Sequence, residues 1–403
     1  MAERELGKLV ERARTLTVTV SLTLIAFLIT AGAPAQAAGE RVRWTSSIER
    51  PSRDWDYDGE RILGHIGYDI GLWDAKAGAL LHRMKGQQDR IHAVQFSPDG
   101  DHAISSSWIR PGPMVPYEPK DISTILWNLK TGQREHHFQG QVAGEFSPDG
   151  SRLLMFSRRP DNSTSFDAVV WDVATKSELV KVTLSDGSNP HWTTLHFSPD
   201  GRRFAVIDSS AVVLYDSSDG HKIETPAIKY GLHHRYTSNG QLVSFDTTKA
   251  SRIDLESGRL LQSFEHGVDR IWRGVWTHDG HKAVAIPIDG PIRIWSDKPE
   301  TMITGAKGGT YPQRIAIISP DNSRLALAWG GAQVEKEIEP ELGLYDLDTG
   351  KSLAVIKLAK DWKLVGFSPD SKTLLIVGSE SAIYNSMSGT RVHTLTMESL
   401  GWP

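Results

Sequence analysis

The sequence contains no cysteine. That excludes disulfide staples, thiol nucleophiles, Cys-ligated zinc, iron–sulfur clusters and covalently attached c-type haem. It also lacks an excess of either charge, since 45 Lys+Arg face 49 Asp+Glu for a formal −4. A chain so balanced has no electrostatic footprint for nucleic acid and none of the one-sided charge that keeps chains disordered. The catalytic signatures G-x-S-x-G and H-E-x-x-H are missing. Gly350-Lys351-Ser352 resembles the end of a phosphate loop, but Tyr345 stands where that loop needs glycine. Glu135-His136-His137 and His233-His234 are adjacent pairs, which a strand would point to opposite faces. The isolated His92, His196 and His278 read as polar strand residues rather than ligands.

Long apolar runs are absent except in one place. No charge occurs from residue 15 through 39, and the apolar centre at 22–29 runs on to Ala35-Gln36-Ala37. Arg4, Lys8, Arg12 and Arg14 precede it. This is the layout of a secretory signal with an A-x-A cleavage pattern. Residues 1–38 are therefore expected to be a signal peptide, with an uncleaved membrane anchor as the alternative. The protein is expected to work outside the cytoplasm, periplasmic or secreted.

What is plentiful is tryptophan, with 13 residues, and a repeated phrase. Phe96-Ser97-Pro98-Asp99-Gly100 recurs from Phe146, from Phe197 and, as Phe-Ser-Pro-Asp-Ser, from Phe367. Looser copies start at Trp55, Tyr236, Trp276 and Ile318. Each is followed by an aromatic or Ile, then usually Asp or Asn: Trp73-Asp74, Trp127-Asn128, Trp171-Asp172, Tyr215-Asp216, Ile253-Asp254, Trp295-Ser296, Tyr345-Asp346 and Tyr384-Asn385. Pro presets φ and Gly tolerates the left-handed region, so Pro-Asp-Gly closes a tight turn between strands. Four short strands per cassette make the blade of a β-propeller, and the aromatic at a fixed site fills the wedge between blades. The expected fold is all-β: one propeller domain over 41–403, with eight four-stranded blades favoured. A seven-bladed ring is the alternative, with 41–85 supplying closing strands or a cover. Arg41-Val42-Arg43-Trp44-Thr45 is the best candidate for the innermost strand of the first cassette.

These alternating phrases resemble the WD-repeat and TolB-like propellers of bacteria, over nearly the whole chain from Trp55 onward. The resemblance implies the propeller fold and says little about activity. The Gly-His dipeptide that opens many WD repeats is mostly missing, with Gly86-Gln87 and Gly140-Gln141 in its place. That puts in doubt the buried His–Asp network of the eukaryotic type.

The interval between the two phrases is longest in three cassettes, from Phe96 to Trp127, Phe146 to Trp171 and Ile318 to Tyr345. The extra residues fall between strands two and three, so all three insertions project from one face. With the inter-blade loops on that face they offer Trp108, Arg110, Tyr117, Arg158, Arg159, Phe166, Trp192, Trp272, Tyr311 and Trp329. Trp, Tyr and Arg on loops of a rigid scaffold are the composition of a recognition surface, so a protein or peptide partner is expected there. A propeller enzyme of the lactonase, glycosidase or quinoprotein kind is the rival by fold analogy alone, and a structural subunit of a cell-envelope complex is a third reading. Asp54, Asp56 and Asp58 match the start of a calcium loop, D-x-D-x-D-G, but His65 stands where an EF-hand needs Glu. Calcium is the one cofactor the sequence raises.

Overall fold

The computed structural model describes residues 55–87, 90–107, 122–159, 165–185, 193–207, 212–224, 233–245, 249–255, 257, 259–265, 271–287, 290–296, 301–303, 315–329 and 339–395. Among these there is no helix, and so none long and apolar enough to cross a membrane. The strands form eight four-stranded antiparallel sheets, each a meander of four consecutive strands. The blades span 55–84, 91–139, 141–183, 194–223, 233–265, 271–303, 315–357 and 363–394, numbered 1 to 8.

Neighbouring residues on a strand point to opposite faces, and here the two faces serve different junctions. Ile62 packs with blade 8 while Leu63 packs with blade 2. Leu153 packs with blade 2 while Leu154 packs with blade 4. Leu325 packs with blade 6 and Ala326 with blade 8. The buried residues accordingly fall into one cluster for each pair of neighbouring blades, all the way round. The last cluster joins Trp55, Ile62 and Trp73 of blade 1 to Val365, Leu375 and Ile383 of blade 8. This decides for eight blades over seven. The ring closes by side-chain packing, since the first and last sheets are each built from their own four strands. The Tyr57 hydroxyl adds a 2.9 Å hydrogen bond to Thr373 across that seam.

The expected wedge aromatics are in place. Trp73, Trp127, Trp295, Tyr345 and Tyr384 are buried, and Trp171 and Tyr215 are half-buried. Two glycines make room for rings: a Cβ at Gly71 would sit 2.1 Å from the Trp73 indole, and one at Gly64 would sit 2.2 Å from Trp55. One expectation is corrected. The innermost strand of blade 1 is Trp55–Tyr57 itself, running straight into the turn at Asp58, whereas 41–45 lies outside the described residues.

Candidate interaction face

In a four-strand meander, the turns joining strands one to two and three to four share a face. Loops joining two to three, and one blade to the next, share the other. They are called here the turn face and the loop face.

The turn face is closed by repeated short-range bonding. In each copy that keeps Ser-Pro-Asp the Ser hydroxyl donates to the Asp carboxylate: Ser97–Asp99 at 2.5 Å, Ser147–Asp149 at 2.5 Å, Ser198–Asp200 at 2.6 Å, Ser319–Asp321 at 2.5 Å and Ser368–Asp370 at 2.6 Å. The other oxygen contacts vary, but the residue two beyond Asp149, Asp200 and Asp370 also donates its N–H to the same carboxylate. Burial opposes ionisation of Asp149, Asp200, Asp321 and Asp370, yet these donors outweigh it and hold all four below the ordinary carboxylate value. The glycine ending the turn is left-handed, as at Gly150 with φ 74°.

Adjacent turns are also tied together. An arginine of one blade donates to the last carbonyl of the next blade's turn at four junctions: Arg61 to Gly100 (2.8 Å), Arg152 to Gly201 (2.7 Å), Arg252 to Gly280 (3.1 Å) and Arg324 to Ser371 (2.9 Å). Arg61 and Arg152 also lie over the rings of Phe96 and Phe197, at 5.2 and 5.5 Å. On the innermost strands Asp56 accepts from the Phe96 N–H at 2.8 Å, and Glu145 accepts from the Phe197 N–H. These are edge-strand N–H groups of the following blade, which the sheet leaves unpaired.

The loop face differs. Its three insertions all lie between second and third strands, bounded by His102–Ser107 and Ser123–Asn128, by Arg152–Arg158 and Phe166–Asp172, and by Arg324–Trp329 and Glu341–Asp346. Beneath the longest, strand ends meet through hydroxyls and amides: Ser106 with Thr124 at 2.9 Å, Ser107 with Ser123 at 3.2 Å, and Gln87 with the Ser105 carbonyl at 3.1 Å.

The residues expected on this face divide. Trp108, Arg110, Tyr117, Trp192 and Tyr311 lie outside the described residues, and Trp272 is described only as a backbone position of the strand Ile271–Trp276. Arg158 is half-buried at the end of its strand. Arg159 is held by Asp167 at 2.8 Å and by the Leu184 carbonyl, so it braces the loop base. Phe166 and Trp329 are corrected: they are 6% and 4% exposed and belong to inter-blade cores. Their strands place them on an inward position, which proximity to a loop in sequence does not disclose. Every tryptophan whose side chain is described is buried or half-buried. The exposed aromatic that sequence reasoning passed over is Tyr68, 61% exposed at the tip of the Gly67-Tyr68 hairpin turn of blade 1. Its signal was the Gly-Tyr pair between two short apolar runs.

The two described carboxylates of the calcium candidate serve other donors. Asp56 takes the N–H groups of Tyr57 and Phe96, while Asp58 takes those of Glu60 and Arg61 and pairs with the Arg61 guanidinium at 2.9 Å. Asp54 lies outside the described residues. Among the described residues no group of three or more acidic or histidine side chains is placed to hold a metal. Of the single histidines, His196 is buried against Glu145 at 3.2 Å, and His278 is buried with its N–H on Asn322 at 2.6 Å. His92 is half-buried on the innermost strand of blade 2.

No protein-family model matches the sequence. The SIR4-interacting protein SIF2 of Saccharomyces cerevisiae is 23% identical over 301 residues, covering 70% of this chain and 45% of that protein. The chain thus spans under half the length of this curated relative. The solved C-terminal WD40 domain of Sif2 superposes with a TM-score of 0.57 at 14% identity, covering 83% of this chain and 95% of that one. Dipeptidyl peptidase 4 of Porphyromonas gingivalis gives a TM-score of 0.56 at 13% identity, covering 88% and 62%. At such identities the likeness speaks for fold, and the fold is a WD40-type β-propeller.

Proposed function

We propose that this chain is an extracytoplasmic interaction scaffold whose loop-rich face takes a protein or peptide partner. The observation that carries this reading is the asymmetry between the faces. The turn face is spent on bonding within and between its own blades. The three long insertions all emerge on the opposite face, around a rigid ring. The yeast relative is by name an interacting protein, and its WD40 domain has this architecture. The extracytoplasmic part rests on the charge-free segment 15–39 and its A-x-A exit. Reading the N-terminal residue of the mature protein tests it: a chain beginning near residue 38 supports export, and an intact Met1 in the soluble cytoplasmic fraction contradicts it.

The interaction reading is tested by replacing residues 108–118 with a short Gly-Ser linker. Capture of the native partner from the cell-envelope fraction is expected to be lost while the melting temperature stays unchanged. Undiminished capture by the trimmed protein contradicts the reading.

A further inference from the structure

Several blades share one irregularity where the third strand meets the fourth: a residue of the outer strand bulges, with no partner across the ladder. It is Leu81, Leu179, Leu261, Leu353 and Val392 in blades 1, 3, 5, 7 and 8. In blade 2 it is Glu135. A bulge re-aims side chains, and here Glu135 and His136 both reach blade 3 instead of pointing to opposite faces. Glu135 meets the Lys176 ammonium at 3.3 Å, and the His136 ring lies 6.1 Å from that of Trp171.

Lys176 also breaks a pattern. It is left-handed, with φ 55°, at the place in the turn that Gly78, Gly132, Gly220, Gly350 and Gly389 occupy in other blades. A Cβ at Gly132, Gly220 or Gly389 would come within 2.8, 2.6 or 2.6 Å of His82, Val180 or Ala354, the residue after the bulge of the preceding blade. At the junction of blades 2 and 3 the counterpart of those three side chains is His136. One junction thus exchanges an apolar bulge and a close-packed glycine for an ion pair, and sets an imidazole beside it.

Both oxygens of Glu135 are in use. Lys176 is on Oε2, while the Asn128 amide donates to Oε1 at 2.9 Å and His102 Nε2 stands 3.5 Å from it. The half-buried His136 packs edge-on against Phe138, 4.4 Å between ring centres. The charges that act on it are Lys176 and His137. Asp172 opens the Lys176 turn and is taken up by the Thr175 N–H and hydroxyl.

We propose that this junction is an acid-operated latch: a proton taken up by His136 drives the Lys176 turn off Glu135 and opens the outer margin between blades 2 and 3. The imidazolium stands in an aromatic pocket beside an ammonium, and both surroundings oppose it. Burial first, then Lys176 and His137, hold the imidazole below its ordinary 6.5. The unfolded chain therefore binds this proton more readily, so the stability held by neutral His136 is present above 6.5 and is lost as pH falls from there toward the folded value. Burial opposes ionisation of Glu135, but Asn128 and Lys176 outweigh it and keep the carboxyl below its ordinary 4.5. The latch thus works on the acid side of 6.5 while its carboxylate is still charged. It lies on the turn face, so it goes beyond the scaffold reading and does not depend on it.

The test is amide hydrogen exchange of the full chain, read by mass spectrometry at about pH 7.5 and about pH 5.5 and corrected for intrinsic rates. Protection of residues 172–178 is expected to fall by about threefold or more on acidification, while the equivalent turn at 216–220 keeps its protection. His136→Gln puts there the residue that follows the bulge in blade 5, Gln262, and is expected to abolish the acid response. Lys176→Gly restores the glycine of the other turns, removes the opposing charge, and is expected to abolish it as well. Should His136→Gln melt early, Lys176→Gly carries the test. The latch is overturned by unchanged protection of 172–178 at the lower pH, by an equal loss at 216–220, which would mark general acid loosening, or by an acid response that persists in the variants.

Discussion

The Arg152 guanidinium reaches from blade 3 to the Gly201 carbonyl of blade 4, 2.7 Å away, and to the Ser217 hydroxyl at 2.7 Å. Arg61, Arg252 and Arg324 make the equivalent bond from blades 1, 5 and 7. A charged donor on a part-buried carbonyl contributes about 1.5–3 kcal/mol. Arg152→Ala is therefore expected to lower stability by about 2 kcal/mol, read as a lower urea midpoint. Arg152→Lys should lose nearly as much, because a single ammonium does not span both acceptors and the Phe197 ring. An unchanged midpoint would show that the inter-blade bond adds nothing beyond apolar packing.

Two turns lack the final glycine, and the residues there explain why. Asn322 and Ser371 adopt φ 61° and 62°. Each spends its side chain on the preceding blade, Asn322 accepting from the His278 N–H at 2.6 Å and Ser371 from the Asp321 N–H at 3.0 Å. Asn322→Ala keeps the left-handed strain and loses the bond, so a loss of about 1–3 kcal/mol is expected. Asn322→Gly loses the bond but relieves the backbone, and is expected to fall between the two. Thermal melts of the three proteins should rank Asn above Gly above Ala.

Packing at the closing seam gives a sharper test of eight-bladed closure. The Trp55 and Trp73 rings stack with centroids 5.6 Å apart, and Gly71 lies against Trp73 with no room for a methyl. Gly71→Ala must displace the indole, at a cost of about 1–3 kcal/mol. Tyr57→Phe removes only the bond to Thr373 and is expected to cost about 1 kcal/mol. If blade 1 were a loose appendage to a seven-bladed ring, neither change would move the main unfolding transition.

Acid should loosen the turn face. Asp149, Asp200, Asp321 and Asp370 titrate below the ordinary 3.8 in the folded chain, despite burial, through their Ser and main-chain donors. A carboxyl whose folded pKa is depressed contributes stability that is present above its unfolded value and lost as pH falls through the folded one. Stability from these groups is therefore expected to be level from neutral pH down to about 5 and to fall below about 4. Ser147→Ala removes the hydroxyl donor to Asp149 and should raise that group's titration point, visible by carboxyl-resolved NMR titration.

Much of this architecture was legible in the order of residues. Turn phrases and the aromatic-Asp phrases alternate because each marks a fixed corner of the meander, so the blade number followed from them. The three insertions could be assigned to one face because recognisable strands flank them. What stayed hidden depends on neighbours distant in sequence. The first strand of blade 1 is three residues long and coincides with the phrase itself, so it was sought at 41–45 instead. Phe166 and Trp329 adjoin loops, yet the register of their strands turns both inward. Arg152 looks like any exposed strand-start arginine until the turn of the following blade is in view.

The central claim, that the loop face is the partner face, is tested most directly by site-specific photocrosslinking. A benzophenone side chain is placed at Tyr68 on the loop face and, separately, at Lys372 on the turn face, where the native side chain is 79% exposed. After irradiation in the native envelope fraction, a discrete higher-mass adduct is expected from position 68 and none from position 372. Adducts from 372 with none from 68 would contradict the account.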